Sequence, residues 1–273
     1  MYSLVALASV MGCGGREEDP EANQHYQIDT VDSRVVVRNL WDSPEALPQF
    51  RLRELWRVGG MSADEEAQFS GPFFTASFGP GGEAAFLDEA RAEVSLFDGG
   101  SGASIQTIGG EGQGPEALSS PGGLAWDHLG RLWVANSYNG RYTVFGADGT
   151  FLRTAPRPSR RVNGFQWSMA FTASGHLADH RSAAPRLILI QVDSTGTVAD
   201  SLVLRYPERD PLWGGPLVPG SPLVEVVWLR PNLRWAFDAE GSSVWTLRSD
   251  SLRLMQVDWT GDTLRTVTAT HRT

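Results

Sequence analysis

The sequence predicts an all-β chain assembled from repeated four-stranded units, and three observations carry that prediction. Thirty Gly and sixteen Pro are spread along the 273 residues, which is the punctuation that many short strands and tight turns need. Apolar side chains alternate with a period of two in short runs bounded by turn residues. One unit, finally, recurs along the chain.

The clearest copy begins with Pro121-Gly-Gly-Leu-Ala-Trp-Asp-His-Leu-Gly130 and Arg131-Leu-Trp-Val-Ala-Asn136. It continues through Tyr138-Asn-Gly-Arg-Tyr-Thr-Val-Phe145 and Ala147-Asp-Gly-Thr-Phe-Leu-Arg153. These are four short strands joined by an Asp-x-x-Gly turn, a polar loop and an Asp-Gly turn. Such a meander is one blade of a β-propeller. The same grammar recurs in Phe74 to Ile108, Met169 to Leu204 and Leu233 to Val267. In the four copies the two turn glycines are Gly82 and Gly102, Gly130 and Gly149, Gly175 and Gly196, Gly241 and Gly261, always 19 to 21 residues apart. The blades are accordingly expected at about 72–108, 121–155, 165–204 and 232–270 within a propeller spanning 51–273, after an N-terminal strand segment at 26–50.

Two segments stand outside the repeat. The link 205–231 is long and Pro-rich and carries Trp213, so it reads as an inserted loop. Arg51-Leu-Arg-Glu-Leu-Trp-Arg-Val-Gly59 reads as an outermost strand that no three inner strands precede. The fourth copy already owns its outer strand, at Asp262 to Thr270. The count therefore predicts four full blades plus a leading outer strand, in a ring left open or incomplete. A fragment of a longer propeller, or a dimer that hides the free edges, would account for such a ring, because unpaired edges are an aggregation liability.

Composition narrows the function. A net charge of −9 disfavours a broad phosphate-binding surface and hence nucleic acid as a partner. All 23 basic residues are Arg, which excludes Schiff-base, P-loop and lysine general-base chemistry. One cysteine, Cys13, permits neither an internal disulfide nor a cysteine-built zinc site. No Gly-x-Ser-x-Gly elbow, His-Glu-x-x-His helix or Walker loop is present.

The N-terminal residues 1–13 combine a short apolar run with Val10-Met11-Gly12-Cys13, and a polar stretch follows. This resembles the lipobox of bacterial lipoproteins. The resemblance implies lipidation at Cys13, a tether at 14–25, export to the cell envelope (outer membrane or periplasm), and membrane contact only through that anchor. The Pro121 to Leu152 copy, preceded by the link Gly110-Glu-Gly-Gln-Gly-Pro115, resembles an NHL repeat. The ensemble is similar to bacterial six-bladed β-propeller proteins, which implies NHL-like blades and an incomplete six-bladed ring. It specifies fold far better than activity.

Two sets of residues are candidate sites. Asp88, Asn136 and Asp179, with Arg248, each follow the second strand of a blade and so share the face that carries the inter-blade links. Their oxygens could hold Ca²⁺, as in lactonase-type propellers, or could close their own loops by accepting from backbone amides. His176 and His180 are spread about 13 Å apart on a strand and cannot share a metal there. Arg153, Arg157, Arg160 and Arg161 crowd the link into the third blade, and Trp213 borders the same rim. Arg forks suit carboxylate or phosphate groups. The expected function is a non-catalytic envelope propeller that presents its link rim to a protein or glycan, without a cofactor. The alternatives are a propeller hydrolase or lyase with a channel cation, and a fragment of a longer propeller.

Overall fold

The computed structural model describes residues 26–31, 34–40, 53–59, 69–70, 74–158, 167–183, 186–205, 233–248 and 253–270. Among them there is no helix, and every regular element is a strand. Strands β1 (Tyr26–Val31) and β2 (Arg34–Leu40) form an antiparallel hairpin. Four antiparallel meanders follow. Blade 1 holds β3 (Phe74–Phe78), β4 (Glu83–Asp88), β5 (Glu93–Asp98) and β6 (Ser104–Gly109). Blade 2 holds β7 (Pro121–Trp126), β8 (Leu132–Asn136), β9 (Arg141–Phe145) and β10 (Phe151–Pro156). In blade 3 the short strands β11 (Trp167–Ser168) and β12 (Ala170–Phe171) precede β13 (Leu177–Ala183), β14 (Arg186–Val192) and β15 (Val198–Arg205). Blade 4 holds β16 (Leu233–Phe237), β17 (Ser243–Arg248), β18 (Arg253–Asp258) and β19 (Thr263–Thr270).

Within a blade, each strand pairs with its sequence neighbour. The eight turn glycines singled out from the repeat all have positive φ, between 61° and 95°, a region that non-Gly residues avoid. Gly196 shows a second constraint: a Cβ there would stand 2.3 Å from the Pro156 carbonyl oxygen.

The blades stack face to face. One apolar cluster joins blades 1 and 2 through Leu87, Val94, Leu124 and Val134. A second joins blades 2 and 3 through Trp133, Tyr142, Leu177 and Ile190. A third joins blades 3 and 4 through Leu187, Leu189, Val244 and Val257. Burial follows from this stacking. All five residues of β8 are buried because a blade lies on each side of it, whereas the outer strand β10 alternates between buried or half-buried and exposed positions. The chain is thus an all-β protein of propeller blades, four of them complete.

The chain between blades 2 and 3 bridges two sheets. β11 adds to the inner edge of blade 2 as a parallel partner of β7, and one residue later β12 opens blade 3. Met169, between them, is buried in the second cluster.

The leading segment differs from expectation. Residues 53–59 form no strand. Trp56 stacks on Phe97 (6.4 Å between ring centroids) and meets Phe86 edge-on, and its indole N–H donates to the Gly99 carbonyl at 2.8 Å. The glycines of the outer turns show what this segment replaces. Gly149, Gly196 and Gly261 abut Ile108 of β6, Pro156 of β10 and Leu202 of β15, in each case the outer strand of the preceding blade, whereas Gly102 of blade 1 abuts the Trp56 ring. Residues 53–59 therefore stand where a preceding blade's outer strand would stand, and among the described residues they join no ladder. The strand that does extend a blade comes from the N-terminal hairpin, with β2 running parallel to β19 from Arg265↔Val35 to Thr270↔Leu40.

Candidate functional site

The loops between second and third strands share a face with the inter-blade links, and the two are bonded together. Gly110 N–H donates to Ala92 O (2.8 Å), Tyr138 N–H to Ser119 O (3.2 Å) and Arg157 N–H to Gly140 O (3.0 Å). This link face is where the sequence places its candidate residues.

Asp88 and Asn136 end β4 and β8, and each faces the first residue of the third strand across a four-residue loop (Asp88↔Glu93, Asn136↔Arg141). Arg248 holds the same register in blade 4, opposite Arg253. The carboxylate of Asp88 accepts from the Ser70 amide (2.6 Å) and hydroxyl (2.5 Å) and from the Ala90 and Arg91 amides (3.2 and 3.3 Å). Burial pushes this carboxyl up, and the Ser70 and loop-amide hydrogen bonds outweigh it, leaving the group below the ordinary carboxylate range. Asn136, fully buried, accepts from the Ser119 amide (2.9 Å) and donates to Ala117 O (2.8 Å) and Thr143 Oγ1 (3.3 Å). Asp88 closes its own loop, and Asn136 fastens the end of β8 to the preceding link.

Asp179 does not belong to this series. It pairs with Ile190 four residues before β13 ends at Ala183, as the third residue of a strand that begins at Leu177. Its side chain points between blades 2 and 3, where it is fully buried. One carboxylate oxygen accepts from the Tyr142 hydroxyl (2.7 Å) and from Arg157 Nε (2.9 Å), and the other from the His180 amide (2.7 Å). Arg157 also donates to the His180 carbonyl (3.2 Å). Burial would raise the Asp179 carboxyl, but the Arg157 charge with the His180 and Arg157 hydrogen bonds holds it far below the ordinary range. Burial and the same carboxylate push the Tyr142 hydroxyl well above its usual value. Both side chains are shielded from solvent. This constellation is a clamp between blades.

The arginine rim therefore needs correction. Arg157 is buried inside the clamp, and half-buried Arg153 lies 4.7 Å from the centroid of the buried Trp133 ring. Arg160, Arg161, Trp213 and Cys13 lie outside the described residues. His176 precedes β13 and His180 lies within it; the His176 ring is 3.3 Å from Gln191 Oε1, and the His180 ring packs 5.1 Å from that of Trp235. Among the described residues no three His, Cys, Asp or Glu side chains gather as metal ligands, and no helix is long and apolar enough to cross a membrane.

Tyr142, whose hydroxyl donates to the Asp179 carboxylate, is a residue that sequence reasoning missed. It sits on a third strand at a core position, and nothing in the repeat distinguishes a core tyrosine from a core phenylalanine.

No family model and no curated protein matches the chain. Among solved structures, virginiamycin B lyase from Staphylococcus aureus is similar at 13% identity over 72% of this chain and 57% of that one, with a TM-score of 0.43. A Bacteroides fragilis protein thought to be exported gives 12%, 78%, 55% and 0.48. The β-propeller domain of Swd1 from Myceliophteria thermophila gives 12%, 70%, 53% and 0.40. The chain spans little more than half the length of each of these proteins. What the geometry of the described residues establishes is the architecture: four antiparallel blades, stacked face to face, with the loops of blades 1 and 2 bonded to the neighbouring links.

Proposed function

We propose that the chain is a binding propeller of the bacterial cell envelope, anchored through Cys13, that presents the loops and links of its link face to a protein or glycan partner. One observation carries this reading over a channel-metal enzyme. The polar side chains at the candidate positions spend their acceptors inside the protein: Asp88 on four donors of its own loop and Ser70, Asn136 on Ser119, and Asp179 on Tyr142, Arg157 and His180. A Ca²⁺ site needs six to eight oxygen ligands left open to the ion. Oxygens engaged in this way instead hold the loops rigid, and rigid loops bind with less ordering cost.

Metal analysis of the purified full chain, with melting curves in the presence and absence of a chelator, tests the reading. The expected result is no stoichiometric divalent ion and an unchanged Tm. A stoichiometric ion whose removal lowers Tm would overturn it. The anchor is tested separately: radiolabelled palmitate should be incorporated by the wild-type chain in a bacterial host and not by Cys13→Ser.

A further inference from the structure

The loop between β8 and β9, residues 137–140, lies on the link face between two inter-blade links. It is held on one side by Ser119, through the Tyr138 amide, and on the other by the Arg157 amide, which donates to Gly140 O. Its backbone is fixed, yet its side chains are not satisfied. Ser137 Oγ, Asn139 Nδ2 and Arg141 Nε are all buried and have no hydrogen-bond partner among the described residues, and Ser137 as a whole is only 5% exposed. Buried polar groups in folded proteins are nearly always bonded. Three such groups within five residues gather donors on one loop that could serve a single acceptor.

The chemistry of that acceptor follows from the donors. An amide nitrogen and a guanidinium Nε can only donate, and a hydroxyl can do so. Arg141 Nη2 is occupied by the carbonyls of Gly114 (2.5 Å) and Ala117 (3.2 Å), and among the described residues no carboxylate pairs with this arginine. A positive charge beside two neutral donors suits an oxyanion with several lone pairs. Next to them Tyr138 is 67% exposed, an aromatic side chain offered to solvent on an otherwise well-packed blade.

We propose that Ser137, Asn139 and Arg141 form a carboxylate-recognition site for an acidic sugar, with Tyr138 as the platform for the pyranose ring. This deepens the link-face reading above and rests on it. The donors are shielded from solvent, so a ligand carboxylate reaches them only as the Ser137 and Asn139 side chains rearrange, while Arg141 keeps its Nη2 bonds to the Gly114 and Ala117 carbonyls.

Calorimetric titration of the full chain with glucuronate, and with glucose as the uncharged control, tests the site. Glucuronate is expected to bind and glucose to bind at least about tenfold more weakly, since the charge-assisted bonds are absent. Asn139→Asp, which sets a carboxylate against the ligand's own, should weaken glucuronate by about tenfold or more. Tyr138→Ala, at an exposed position that leaves the blade intact, should weaken it by several-fold. Circular dichroism and Tm verify that both variants fold. Equal affinity for the two sugars, absence of binding, or a crystal structure in which ordered water alone fills the three donors at saturating glucuronate would each overturn the assignment. Glucuronate binding that survives both substitutions overturns this loop as the site while leaving the link-face reading standing. A stoichiometric structural cation, by contrast, removes that reading itself.

Discussion

The interface between blades 2 and 3 and the one between blades 3 and 4 are built from the same repeat and hold together differently. The first packs Trp133, Tyr142, Leu177, Ile190 and Val192 around a fully buried Arg157–Asp179 pair. The second packs Leu187, Leu189, Leu202, Val244 and Val257, continued by a row of half-buried rings in which Trp235 lies 5.3 Å from Phe237 and Phe237 lies 6.0 Å from Trp259. Apolar contacts tolerate small shifts. A buried ion pair with an added tyrosine hydroxyl is satisfied in one geometry only, so it sets the angle and register at which blades 2 and 3 meet. The loop with the unfilled donors lies beside this fixed interface, on the Arg157 side.

The contrast can be broken most directly at Asp179. Asp179→Ala strands the Arg157 charge in the interior and should cost about 3–5 kcal/mol in urea unfolding. The double change Asp179→Leu with Arg157→Met should recover most of that loss; if it does not, the pair does more than neutralise itself. Gly196→Ala, which forces a Cβ against Pro156 O at a φ of 92°, should cost roughly 2–3 kcal/mol, read from the same midpoint. Phe237→Ala, at the softer interface, should cost about 2 kcal/mol, below the range for fully buried aromatic residues. A loss as large as that of Asp179→Ala would erase the distinction. Tyr142→Phe removes one hydrogen bond to the carboxylate and should cost about 1 kcal/mol.

The smallest effect expected is in pH dependence. Asp179 has a folded pKa held below its unfolded value of about 3.9. The unfolded chain therefore binds more protons in acid, and the stabilisation is complete above the unfolded value and fades as pH falls toward the folded one. Asp179→Asn should flatten the acid limb of Tm against pH, and an unchanged limb would show that other carboxylates dominate it.

Much of this architecture was legible beforehand. The paired glycines located all eight tight turns, since a φ that only glycine adopts freely leaves its mark on the sequence. Period-two runs located the strands of the blades. Residues 53–59 were harder, because Trp56 in an apolar run looks the same whether it joins a ladder or rests on a neighbouring blade. Asp179 was harder still. Asn136 is the last of the five residues of β8, whereas Asp179 is the third of the seven of β13, and that offset turns a loop-closing position into a core one. The arginine run beside β10 likewise read as surface, although Arg157 has its partner 22 positions away.

By itself the sequence determined the local grammar: all-β, four meanders, their turns, and the face on which loops and links gather. Glycine conformation and strand periodicity are properties of short stretches of chain, so they can be read there. Only the tertiary structure decided which polar side chains closed loops, which pair clamped two blades, and which three donors stayed unfilled. Hydrogen bonding is settled between residues that meet across blades and loops, and an offset along one strand is enough to change the partner.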